Sequence, residues 1–320
     1  MPQDAPAAFF SYCREDSDFA LRLAGDLKAA RASVWLDQLD IVPGQRWDRA
    51  VEDALVRQSL EVARQLGDKR GAAVSLNALG TTARIQGHLD VAHPLLEESL
   101  ALFRELGDQR AIARALSNLA NVVKLQGDYS RARTLCAECL SIFGAVGDQN
   151  GVAWSLNNEG DIAHDEGDSA AARTLYQQSL AIFRELDDHW GVATTLADLG
   201  TLAREQLDWT NADSLYKESL RIFQELGHKR GIARLLECFA CLAAAQSQAT
   251  RGLRLAGAAA ALRQDIGAPR SPADQTRLEA LLDPARKSLS ETAATAAWSE
   301  GRATPMEKAI EEVLSPAASS

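Results

Sequence analysis

Two cysteine pairs are the first candidates for chemistry in this chain: Cys136/Cys139 and Cys238/Cys241, each C-x-x-C. Four thiolates make a zinc set in principle. Both pairs fall inside helical patterns on segments five helices apart, and packed helices sit about 8–10 Å from one another, which puts the pairs beyond a shared ligand distance. They read as packing cysteines, since free cysteine is among the most buried residue types, and no metal is expected. The five cysteines are odd in number, so no complete disulfide framework is implied. The five histidines are scattered, and none stands beside a Cys or Ser as an activated nucleophile requires. Glu15, Asp37 and Asp40 read as solvated loop carboxylates. Nothing here forms a catalytic centre or calls for a cofactor. What remains is a row in register: Arg84, Lys124, His164 and Arg204, one cation-capable side chain every 40 residues.

That register belongs to the elements that carry it. Leu76, Leu116, Leu156, Leu196 and Leu236 recur at the same step of 40, as do Phe103, Phe143, Phe183 and Phe223. A fixed period of this size means stacked supersecondary units. Within one unit Ile112, Leu116, Leu119, Ala120 and Val123 form one helical stripe. Gly127-Asp128 breaks that helix, and Asp128 can cap the next. Ala132, Leu135, Cys136, Leu140 and Phe143 form the second stripe, closed by Gly147-Asp148. Neither helix buries its stripe alone, so neighbouring units must stack into a mainly α solenoid.

The residues inside the unit resemble the tetratricopeptide repeat (TPR). The likeness lies in Leu76, Leu79, Gly80, Ala83, Gly87, Ala92 and Leu96, again in Leu156, Gly160, Ala163, Gly167, Ala172 and Tyr176, and again in Leu196, Leu199, Gly200, Ala203, Ala212 and Tyr216. Small residues at Gly80, Ala120, Gly160, Gly200 and Ala240 let paired helices approach, while Leu207 and Ser247 stand where a turn glycine is expected. The resemblance implies that the first helix of each pair lines a concave groove. It places Asn77, Arg84, Arg114, Asn121, Lys124, Trp154, Asn157, His164 and Arg204 on that lining. The asparagines can bond the backbone of an extended peptide, Trp154 offers a flat apolar anchor, and the basic row favours acidic segments. The implied partner is a protein or peptide.

Ahead of the repeats, residues 7–12 and 33–36 read as short strands, 15–30 as an amphipathic helix, Pro43-Gly44 as a turn, and a further helix begins near Gln45. This order opens a parallel, flavodoxin-like α/β sheet. The runs Phe9 to Asp16, Val34 to Asp37 and Ile41 to Trp47 resemble the start of a bacterial Toll/interleukin-receptor (TIR) domain. A complete domain of that family implies NAD cleavage or pairing with another TIR-containing chain. The half that carries the family's glutamate does not follow. From Val56 the chain is already in repeat register, Leu60 matching Leu100 and Leu66 matching Leu106. The expected organisation is therefore a truncated TIR-like fragment over 1–55, repeats over 56–267, and C-terminal capping helices with a frayed tail over 268–320. Arg254 to Leu262, Trp298 to Arg302 and Ala309 resemble the C-terminal end of TPR sensor regions in bacterial signal-transduction ATPases, although no G-x-x-x-x-G-K-[ST] loop is present.

Composition narrows the class. The chain has 34 Lys+Arg against 44 Asp+Glu, net −10, which disfavours nucleic acid and anionic membranes as partners. No apolar run approaches the roughly 18 residues of a membrane span, and the first residues lack a signal-peptide pattern, so a cytoplasmic protein is expected. The expectation is a non-enzymatic scaffold or sensor; the alternative is a NAD-cleaving or TIR-pairing module with the repeats as its sensor.

Overall fold

The computed structural model describes residues 7–10, 33–36 and 47–315, with side chains from residue 54. The chain divides into two compact units, Met1–Gly71 and Ala72–Ser320. In the first, β1 (Ala7–Phe10) runs parallel to β2 (Ser33–Leu36), with Phe9 opposite Trp35. Helix α1 spans Trp47–Leu66. The helix expected over 15–30 and the loop over 37–46 lie outside the described residues.

Five helix pairs follow: α2 (Lys69–Ile85) with α3 (Leu89–Leu106), α4 (Gln109–Leu125) with α5 (Tyr129–Ala145), α6 (Gln149–Asp165) with α7 (Ser169–Glu185), α8 (His189–Glu205) with α9 (Trp209–Glu225), and α10 (Lys229–Ala245) with α11 (Ala249–Asp265). The first helix of a pair is termed A, the second B. Each turn reverses the chain through a left-handed residue, such as Gly107 at φ +68° and Gly127 at φ +87°. The next residue caps the new helix: the Asp108, Asp128 and Asp148 carboxylates accept from the backbone N–H of Ala111, Arg131 and Gly151. Leu207 and Ser247 take the same left-handed conformation without being glycine, at φ +63° each, and so does Asp187 at φ +56°. Stacking of the repeat imposes the turn at all three.

The small residues do what their register demands. A Cβ on Gly160 or Gly200 would lie 2.6 or 2.5 Å from the ring of Tyr176 or Tyr216. A second series escapes the sequence reading: Gly151, Gly191 and Gly231, where a Cβ would meet Phe143, Phe183 and Phe223 at 2.3, 2.4 and 2.6 Å. Buried hydroxyls tie three of the five B helices to their A helices, with Ser99, Ser179 and Ser219 donating to the carbonyls of Ala73, Ala153 and Ala193 at 2.7, 2.8 and 2.6 Å. Cys139 occupies that same register. Cys136 and Cys139 are buried in one core cluster, and Cys241 in another with Cys238 against it. All four are free thiols. Among the described residues no group of His, Cys, Asp and Glu could hold a metal ion, and no helix is long and apolar enough to cross a membrane.

The region expected to act as one cap divides in two. Helix α13 (Glu291–Ala303) lies directly on α11: a Cβ on Gly301 would fall 1.9 Å from the Arg254 carbonyl. Helix α14 (Met306–Leu314) buries Ala309, Ile310 and Val313 in the core of the last repeats. These two close the end of the stack. Between α11 and α13 the chain makes a detour, helix α12 (Pro272–Lys287), which sets Leu278 and Leu282 into the core of the last repeats.

Candidate functional site

Arg84, Lys124, His164 and Arg204 each occupy the last turn of an A helix, where the partial negative charge of the helix end favours a cation. The structure brings all four to the wall of one cavity of about 500 Å3. Helix α12 forms another part of that wall. Gly267 and Pro269 end α11, Ser271 caps the new helix by accepting from the Asp274 backbone N–H, and Pro272 starts it. Leu278 and Leu282 are buried, whereas Arg277, Leu278 and Leu281 line the cavity. Pro272 sits against the turn after α2, where a Cβ on Gly87 would be only 2.9 Å from the Pro272 ring.

Carboxylates are interleaved with the cations. Lys124 Nζ lies 2.8 Å from Asp161 Oδ2, and the Tyr176 hydroxyl donates to the other oxygen at 2.8 Å. His164 Nε2 is 2.6 Å from Glu205 Oε2, and Arg204 donates to Glu205 Oε1 at 3.0 Å. Arg234 pairs with Asp198, and both Arg263 and Arg270 pair with Glu237. Arg277 reaches Asp165 and Glu205 only at 3.8 and 3.9 Å. Burial alone would raise the Asp161 carboxyl, but Lys124 and the Tyr176 hydroxyl outweigh it and hold it below its ordinary value. Asp198 goes the other way, because burial outweighs the pull of Arg234. The hydrogen bond to Glu205 raises the His164 pKa. Arg84 differs from the rest of the row: burial lowers its pKa with no carboxylate opposing, and its Nε has no hydrogen-bond partner.

The other residues expected on the lining stand apart from this cavity. Asn77 accepts from Asn118, Asn121 bonds back to the Ser117 carbonyl, and Asn157 is buried and donates to Asp198. Arg114 is exposed. Trp154 is spent on aromatic packing, 4.7 Å from Phe183 and 4.6 Å from Trp190. Sequence reasoning does not find the acidic half of the site. A signal was there in part, since Asp161 shares its column of the repeat with Thr81, Asn121 and Thr201 and is the one acid in it. Arg270 and Arg277 belong to no repeat register, so periodicity had no purchase on them.

The tetratricopeptide-repeat family model matches residues 46–105, 111–185 and 162–225, more than half of the chain. The chain belongs to the tetratricopeptide-repeat family. A TIR-domain model matches residues 9–63 and overlaps the first of those matches along α1. No curated protein matches the sequence. Among solved structures the TPR stack is similar to BtubC (BKLC) from P. vanneervenii, at 21% identity and TM-score 0.53 over 68% of this chain and 92% of that one. It is also similar to a Rap protein complexed with Competence and Sporulation Factor, at 13% identity and TM-score 0.56 over 82% of this chain and 71% of that one. At these identities the likeness is one of fold.

Proposed function

We propose that this TPR protein is a non-catalytic scaffold or sensor of bacterial-type signal transduction, cytoplasmic, which holds a protein or peptide segment along the inner side of its A helices. The observation that carries this reading is convergence: four successive repeats deliver side chains in register to one concavity. The Rap protein of similar fold, complexed with Competence and Sporulation Factor, supports a ligand-binding use of such a stack. Acidic segments remain the favoured partners through Arg114, which is exposed. Trp190, 46% exposed beside Trp154, adds an apolar anchor to the expected set.

The test is affinity capture with the wild-type chain beside an Arg114→Ala, Trp190→Ala double variant, followed by titration of the captured partner. At least about a tenfold loss of affinity is expected, in line with removal of an anchor residue. Equal affinity would refute the groove assignment.

The TIR-domain match at 9–63 favours a second role for the first unit, as a truncated TIR fragment that joins a TIR-containing partner. Co-purification of a TIR-containing chain, abolished by deleting residues 1–55, supports that role. Nicotinamide release by the purified protein would instead favour the NAD-cleaving alternative.

A further inference from the structure

The cavity at the A-helix ends differs in charge from the molecule around it. Eight Arg and Lys side chains line it against five Asp and Glu, a surplus of three. Glu205, paired to its edge, lowers the surplus to two. The chain as a whole carries 44 acidic against 34 basic residues. A local cationic excess inside an acidic protein costs self-repulsion and desolvation, although Arg230, one of the eight, has an interaction of its own.

Arg84 bears that cost most plainly. Its Nε and that of Arg270, which also lines the cavity, are both buried without a hydrogen-bond partner. A buried donor left unmet destabilises the fold, so packing does not explain Arg84, whereas Arg270 is held by Glu237 and Gln275. Arg277, on α12, faces the same space and holds its two carboxylates loosely, at 3.8 and 3.9 Å, with more than half of its side chain exposed. Guanidinium groups therefore approach one volume from α2, α8 and α12.

We propose that this cavity binds a small phosphorylated anion carrying two or three negative charges, with α12 as the wall that closes on it. The charge follows from Arg84, whose burial no carboxylate offsets, and from Arg277, which holds its carboxylates loosely. The phosphoryl class follows from the directions of approach, because a phosphoryl group offers three acceptor oxygens to separate arginines while a carboxylate is saturated by a single fork. The volume, about 500 Å3, lies in the range of small-molecule sites. The inference rests on the reading above only in taking the concavity as a place where a ligand binds. It requires no peptide, so partner capture and anion binding stand or fall separately.

The test is calorimetric titration of the full chain with pyrophosphate at fixed ionic strength, beside citrate as a carboxylate anion of similar charge. Arg84→Gln and Arg277→Gln are titrated in parallel. One site per chain is expected for pyrophosphate, weakened about tenfold or more by Arg84→Gln and several-fold by Arg277→Gln, as loss of a charge-assisted contact entails. Unliganded Arg84→Gln should melt at the wild-type temperature or above it, because the arginine has no carboxylate to lose. Amide exchange along α12 should slow when pyrophosphate is added to the wild type. No binding at millimolar pyrophosphate, equal binding of citrate, or affinity indifferent to both substitutions would overturn the proposal. Should Arg84→Gln fail to fold, the half-exposed Arg277→Gln alone decides between these outcomes.

Discussion

The five repeats and helix α12 face each other across one cavity, and they are held by different means. In the repeats each A helix buries seven to eleven residues of its own, and glycines admit aromatic rings at distances that no Cβ would allow. Helix α12 buries three residues, Leu278, Leu282 and Ala285, and is otherwise tied by Pro272 against Gly87, by the Arg270–Gln275 hydrogen bond and by long ion pairs of Arg277. Burying a leucine side chain contributes about 1.5–3 kcal/mol, so the repeats are anchored many times over and α12 only a few. Local opening begins where buried apolar contacts are fewest. Opening is therefore expected at α12 before the frame of the repeats.

The contrast can be broken or sharpened at several points. Gly301→Ala forces a Cβ into the Arg254 carbonyl and should cost about 3 kcal/mol or more, as overpacking against backbone does, with α13 detaching from α11; a melting temperature within a degree of wild type would show that the end of the stack is softer than described. Leu116→Ala, in the fully buried core of the second repeat, should cost about 3–4 kcal/mol, read in a single cooperative denaturation. Leu278→Ala should act differently, raising amide exchange along α12 while leaving exchange in α4 and α6 unchanged; uniform acceleration would place α12 in the same cooperative unit as the repeats. Leu207→Gly should stabilise by about 1 kcal/mol, because a left-handed leucine carries a steric penalty that glycine lacks.

The smallest effect concerns a cap. His228 stands where the other turns have aspartate, and its Nδ1 accepts the Gly231 backbone N–H at 3.1 Å, which requires the neutral ring. Burial, and next Arg230, lower its pKa from 6.5. Its contribution is therefore full above that ordinary value and is lost as pH falls through the lowered folded value. Replacement by aspartate should stabilise by about 0.5–1 kcal/mol and remove that acid-side loss, seen as parallel rather than converging thermal-melt profiles between neutral and mildly acidic pH.

Legibility in the sequence followed period. The helix pairs and their turns, including the turn positions held by Leu207 and Ser247, repeat at 40 residues, and repetition supplies five readings of one rule. The basic row was legible for the same reason. Its neutralisation was not, because Asp161, Asp198 and Glu205 make their pairs across neighbouring repeats, and a stripe drawn on one helix does not show what the adjacent helix presents. Helix α12 was legible as a helix, from the turn at Pro269 and Pro272 and the apolar Leu278, Leu281 and Leu282, but not as a wall of the cavity. Its position depends on α13 taking the place against α11, which only the Gly257 and Gly301 contacts reveal.

The seat of Pro272 against Gly87 joins residues 185 positions apart. A row of stacked helix pairs alone is a spring, extended or wound by small rotations shared among all its joints. Fastening a late residue to the first turn puts a clasp on that spring. Stretching the coil between these two points requires parting the proline from the glycine.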